Sequence, residues 1–345
     1  MAISYNLSGV ITHCRNCAKL SGGVVQLFSS VAYKQHFRKN DHVYDNVSRW
    51  KSKRELADYL LDNMLLNQDG LIVLNKPYGI GAYQRPENAN MPKDIPRDDK
   101  YNLSDALPYI GNALGVDHLT VIKCAEKFSS GVSILASSEK ALDRIKTCRR
   151  RAMCSKKVTS KYLCVALDRP QDTDQSEIVK VALSGSPDGK TFQPVIFDVR
   201  RPPNTKYAIS VSVQLNTLCT NGYGASLVEI KPSSTQWHFI RVYMAHKLAP
   251  LLGDNIHGPR VKYCMGIPVA VNPFNIQDRT KVLNPSIRRR LSLEQGEESI
   301  IPCHVHLKEV TFVGWHRDKS DLTVIAPTPP FFTWTCKQLD LEIKD

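Results

Sequence analysis

The chain has 345 residues, 42% of them hydrophobic, and 46 Lys and Arg against 33 Asp and Glu give it a net charge of +13. That much apolar sequence excludes a disordered protein and suffices for one large domain or two ordinary ones. The positive balance favours a polyanionic partner, with nucleic acid the leading candidate.

Residues 1–40 contain no Asp or Glu but carry Arg15, Lys19, Lys34, Arg38 and Lys39, with serines at 4, 8, 21, 29 and 30. This is the composition of a mitochondrial presequence, so a matrix location is expected, the alternative being a basic disordered tail. Five of the thirteen net charges lie there and eight remain on the rest, so the partner inference does not depend on the segment. No apolar run approaches the ~18 residues of a membrane span, and "VVQLFSSVAY" is short and broken by serines.

Ten cysteines are too sparse and irregular for a disulfide framework, and the single CxxC, Cys14 to Cys17, has no second pair at zinc-site spacing. They are read as reduced and structural. His304 and His306 share one strand face without an identifiable third ligand, so packing is expected there and no metal.

In chain order, Leu56, Tyr59, Leu60 and Met64 fall at helical spacing over 50–69, with Gly70 as a stop, and "LIVLN" (71–75) reads as a strand ending in the turn "KPYG". Residues 102–114 look helical from a Ser104 cap, with Pro108 limiting them to a start or a kink. "DHLTVIKCA" (117–125) reads as a strand. Ser138 caps a helix whose apolar stripe is Ala141, Leu142, Ile145 and Ala152 and whose end carries Arg149, Arg150 and Arg151. Strands follow in "SKYLCVAL" (160–167), "IVKVAL", "YAISVSVQL" and "ASLVEIKP", then a helical pattern over 234–248 and strands at 304–313 and 322–326. The run 288–290, "RRR", is assigned to an exposed insertion. The fold class is α+β, a single domain with a mixed, largely antiparallel sheet flanked by helices. Its expected bounds are 66–335, after a linker and helix start at 41–65 and before a C-terminal tail at 336–345.

Four segments in order resemble the RluA-type pseudouridine synthases. "GLIVLNKPYGI" resembles the family's opening strand and NKPxG turn, and "KCAEKFSSGVSILA" falls on its HRLDxxTSGLLLxA segment. "SKYLCVAL" is similar to its KxYxAxV strand, and "WHFIRVYMAHKLAPLLGDNIHG" to its THQIRVHLxxxGxPIxGDxxYG helix and turn. "PLLGD", "HVHL" and "APTPPFF" further resemble a divergent mitochondrial mRNA pseudouridine synthase-like branch. The resemblance implies a pseudouridine-synthase fold, isomerisation of uridine in RNA, and no cofactor or metal. It places Glu126 where the family has its catalytic Asp, Tyr162 where a Tyr packs on the target base, and Arg241 where an Arg pairs with the catalytic carboxylate. The departures are Lys123-Cys124 for His-Arg, Ser129 for Thr, Gln236 for Arg and His257 for Tyr.

Such a reaction needs a uridine extruded and held by stacking and polar contacts, a carboxylate at the base or ribose, and a cation keeping it ionised and oriented. Glu sets its carboxylate about 1 Å farther from the backbone than Asp, a displacement that can cost on the order of 10²-fold in rate. RNA contacts are expected from Lys76, Arg149, Arg150, Arg151, Lys156, Lys157, Lys161 and His238. For each there is a plainer reading: a solvated loop for Glu126, an ordinary strand aromatic for Tyr162, a surface arginine for Arg241 and a solvated face for the arginine run. Two functions remain open: an isomerase acting on mitochondrial mRNA or rRNA, or a catalytically impaired RNA-binding protein acting on mitoribosome assembly intermediates.

Overall fold

A computed structural model describes residues 42–47, 50–83, 100–171, 175–186, 189, 191–197, 207–276 and 283–343. The expected presequence lies outside the described residues. Helix α1 (Lys53–Asp62) starts at Ser52, whose hydroxyl accepts from the Glu55 N–H at 3.1 Å, and buries Leu56, Ala57 and Leu60. Strand β1 (Met64–Gln68) follows at once, so the helical spacing read over 50–69 spans a helix and then a strand. Asp69 and Gly70, both at positive φ, turn β1 into β2 (Leu71–Lys76) as a tight hairpin suited to the strand twist.

Helix α2 (Leu103–Leu114) starts at Asn102, before the expected Ser104 cap, and continues through Pro108. The proline removes one backbone hydrogen bond, but burial of Leu103, Ala106 and Ile110 in a cluster with Leu56 and Leu60 of α1 keeps the helix whole. Strand β3 (Thr120–Lys123) leads by a loop into β4 (Ser130–Ala136). Helix α3 (Glu139–Cys154) begins as expected at Ser138, which accepts from the Ala141 N–H at 3.2 Å, and buries Ala141, Ile145, Cys148 and Ala152.

Strands β5 (Ser160–Leu167), β6 (Gln175–Gly185), β7 (Phe192–Phe197), β8 (Ala208–Thr220) and β9 (Ala225–Pro232) precede helix α4 (Phe239–His246). The hairpin β10 (Val261–Cys264) and β11 (Ile267–Ala270), helix α5 (Pro285–Arg290), strands β12 (Val305–Phe312) and β13 (Leu322–Ile325), and helix α6 (Pro330–Gln338) complete the described chain. No helix among the described residues is long and apolar enough to cross a membrane.

Eleven strands form one sheet in the order β1-β2-β4-β12-β5-β9-β8-β6-β7, with β3 also on β4 and β13 also on β12. Only β4 and β12 run parallel; the other pairs are antiparallel. Along β2, Leu71 and Val73 enter the main core while Ile72 and Leu74 enter the cluster under α1 and α2, so both faces are covered there. Gly131 permits the parallel seam: its φ is +111°, and a Cβ would stand 2.3 Å from the Leu307 carbonyl oxygen.

Two expected bounds and one expected insertion differ from the structure. The linker at 41–65 contains a packed segment, where Tyr44 is buried and its hydroxyl lies 2.7 Å from that of Thr335. The tail at 336–345 begins inside α6, and Cys336, Leu339 and Leu341 are core residues. The arginine run 288–290 belongs to α5 rather than to an exposed insertion: Ile287 and Leu291 are buried, Arg288 pairs with Glu298 at 3.5 Å and Arg290 with Asp340 at 2.7 Å.

Candidate active site

Glu126 sits in the loop between β3 and β4, partly buried, in a turn closed by Ser129, whose N–H and hydroxyl donate to the Glu126 carbonyl at 2.9 and 3.0 Å. Beneath that turn lies Lys76, the last residue of β2, with no exposed surface. Its ammonium donates to the carbonyls of Pro77, Ile80, Glu126 and Ser129 at 3.0, 2.8, 3.2 and 2.6 Å. Burial pushes its pKa down to about 8, against the nearby charge of Glu126. Lys76 is therefore corrected from RNA contact to loop anchor, since a fully enclosed ammonium cannot meet a phosphate.

Tyr162, in β5, is 5% exposed, and its hydroxyl hydrogen-bonds the Thr235 side chain. Burial first, then the Glu126 charge, raise its pKa. Two side chains far apart in sequence are thus within electrostatic reach. Arg241, in α4, is fully buried. Its guanidinium pairs with the equally buried Asp254 and lies 4.3 Å from the centre of the Phe128 ring, two residues after Glu126. Asp254 sits in the turn after Gly253, whose φ of +80° and whose approach to the Pro302 carbonyl, 2.1 Å from an added Cβ, tolerate no side chain. Burial opposes ionisation of Asp254, but Arg241 and the His257 N–H outweigh it and hold the carboxyl far below the usual range.

His238 and Trp237 both adopt the left-handed conformation immediately before α4, an arrangement costly for residues with side chains and common at functional sites. The His238 ring packs edge-on to Phe128 at 5.4 Å, and its Nδ1 lies 3.0 Å from Nε2 of His257. Burial and the charges of Arg260 and Arg241 hold His257 well below the ordinary imidazole value, against the pull of Asp254. Phe128, His238, His257 and the Arg241–Asp254 pair are thus linked by direct contacts, and the Glu126 charge, two residues before Phe128, reaches Tyr162.

The expected basic contacts divide. Arg149, Arg150 and Lys156 are exposed, Arg150 lying 3.1 Å from the Thr147 hydroxyl. Arg151 donates to the Gly314 carbonyl and Lys157 pairs with Asp321. Lys161 stands between Glu309 at 2.7 Å and Glu229 at 3.8 Å. His304 and His306 are buried, hydrogen-bonded to Thr335 at 2.8 Å and to Ser130 at 2.9 Å, and burial lowers their pKa values to about 3 and about 4. Phe128 and Asp254 were not singled out in the sequence. The signal for Asp254 is its place after Gly253 in "PLLGD"; Phe128 has none beyond adjacency.

No family model matches the chain. It is 25% identical over 297 residues to the human mitochondrial mRNA pseudouridine synthase RPUSD3, covering 85% of this chain and 80% of that one. It is 26% identical over 302 residues to the mitochondrial pseudouridylate synthase RPUSD4 of Danio rerio, covering 83% and 76%. The solved structure of human RNA pseudouridylate synthase domain containing 4 superposes with a TM-score of 0.62 at 20% identity, over 85% of this chain and 98% of that one. The chain is homologous to RluA-type mitochondrial pseudouridine synthases and has their α+β fold.

Proposed function

We propose that this protein acts in the mitochondrial matrix and isomerises uridine to pseudouridine in mitochondrial mRNA or rRNA, with Glu126 as the reacting carboxylate. The observation that supports this reading is the loop anchored by Lys76, whose Glu126 charge reaches Tyr162 and whose Phe128 lies under the Arg241 guanidinium. Isomerisation breaks the N1–C1′ bond, joins C5 to C1′, removes the proton on C5 and returns one to N1, so atoms balance without an added reactant. Tyr162 offers an aromatic face to the extruded base. Glu126 acts on the base or ribose as the glycosidic bond breaks, on a loop that the Lys76 ammonium holds through its carbonyls.

A second reading is favoured by one observation. Glu126 is a methylene longer than the Asp that the motif resemblance puts at its position, a change large enough to leave a folded, RNA-binding but impaired site that serves mitoribosome assembly. Mapping pseudouridine in mitochondrial RNA from cells with and without the protein separates the two. Sites that vanish with the protein and return only with an intact Glu126 support the isomerase; an unchanged map supports the binding protein.

A further inference from the structure

Lys123, at the end of β3, reaches across to the start of β5 and bonds the Ser160 hydroxyl at 2.5 Å. That is its one hydrogen bond among the described residues, and no carboxylate faces it. The charge that acts on it is another cation, Arg149 of α3, which is exposed and makes no ion pair or hydrogen bond among the described residues. Burial pushes the Lys123 pKa down to about 8, with Arg149 adding to the shift. By contrast, Lys157, just after α3, and Lys161, on β5, are matched to Asp321 and to Glu229 and Glu309.

A partly buried ammonium beside a guanidinium, with no counterion, is unfavourable in the free protein. The arrangement makes chemical sense when an anion enters from outside. Ser160 precedes Tyr162 by two residues on the same strand, so the two share a face about 7 Å apart. We infer that Lys123, Arg149 and the Ser160 hydroxyl form a phosphate site for the RNA backbone next to the uridine held at Tyr162. This rests on the reading of that pocket as the uridine site. The ammonium and guanidinium supply charge, and the hydroxyl donates to a phosphate oxygen once Lys123 turns to the same anion.

The test uses the full-length protein, Lys123→Met and Arg149→Gln, with inorganic phosphate and a single-stranded oligouridylate as probes. Phosphate is expected to raise the melting temperature of the wild type, and each substitution to abolish that rise. Each is also expected to weaken oligouridylate binding about tenfold and to lower the salt slope by about 0.7. Lys123→Met should melt higher than the wild type in phosphate-free buffer, because an unmatched cation has gone; a purely structural lysine would do the reverse. A wild type indifferent to phosphate, or variants with unchanged salt slope, would overturn the site. Arg149→Gln alters an exposed side chain without partners, so it decides the matter even if Lys123→Met fails to fold. These readouts need no turnover: if pseudouridine formation is absent but the phosphate response is lost on substitution, the isomerase reading fails while the anion site stands.

Discussion

The Lys76 ammonium donates to the Glu126 carbonyl at 3.2 Å, so the last residue of β2 holds in place the loop that presents the candidate catalytic carboxylate. Three more carbonyls share the same ammonium, and Lys76→Met would leave all four without it. The expected loss is about 2–4 kcal/mol of stability. A fall in the urea midpoint with unchanged slope is the signature; a midpoint within error of the wild type would show that the loop is held by other means.

Lys76, enclosed, and Lys123, partly buried, also contribute to stability with a pH dependence of definite sign. Lys76 and Lys123 both have folded pKa values near 8, below the ordinary 10.5, so between these limits the unfolded chain binds more protons than the folded one. Stability contributed by these groups therefore rises as pH increases from 8 to 10, by up to about 1.4 kcal/mol per pH unit for each. Above pH 10 the effect reverses, because Tyr162, raised by burial, stays protonated in the fold while unfolded tyrosines ionise. Burial raises the Cys124, Cys164 and Cys336 thiols, so they oppose this rise above pH 9 in wild type and variant alike, and the lysine contribution is read as a difference. Chemical denaturation at pH 8, 9 and 10 should show wild type gaining stability relative to Lys123→Met as pH rises; a constant difference would contradict the lowered pKa of Lys123.

The arginines at the end of α3 have separate duties. Arg149→Ala with Arg150→Ala should reduce the salt slope of RNA binding by about 0.7 for each phosphate no longer neutralised, with little change in stability. Arg151→Ala removes a bond to the Gly314 carbonyl and should cost about 1 kcal/mol of stability instead. Equal effects of all three on binding would show that Arg151 leaves Gly314 for the RNA.

Much of this architecture was legible because strand alternation and end caps are local. Strands β5 and β9 and the Ser138 cap fall where the sequence places them. Helix α6 escaped detection because "PTPPFF" reads as a breaker, although a proline at the first helical position lacks only an N–H that has no partner there. At the site, motif order alone proposes Glu126, Tyr162 and Arg241. The burial of Lys76 was not legible, since four carbonyls from two loops enclose it, and such an enclosure exists only once the chain is folded. The same holds for the Arg241–Asp254 pair, which joins α4 to the turn after Gly253.

Residues 1–40 fused to a fluorescent reporter should carry it into mitochondria, because the segment combines five basic residues with no acidic ones. Cytosolic or nuclear fluorescence would contradict the targeting assignment without bearing on the site.

The central claim is that Glu126 is the reacting carboxylate of a uridine isomerase. The most direct measurement is pseudouridine formation by purified protein on mitochondrial RNA, read together with RNA affinity, for wild type, Glu126→Ala and Glu126→Asp. Glu126→Ala should abolish product while leaving affinity unchanged or slightly higher, because a negative charge near phosphate has been removed. Glu126→Asp should keep activity or raise it, because it draws the carboxylate back by about 1 Å. Product formation by Glu126→Ala at the wild-type rate, or none from wild type and Glu126→Asp alike while both still bind RNA, would contradict the claim.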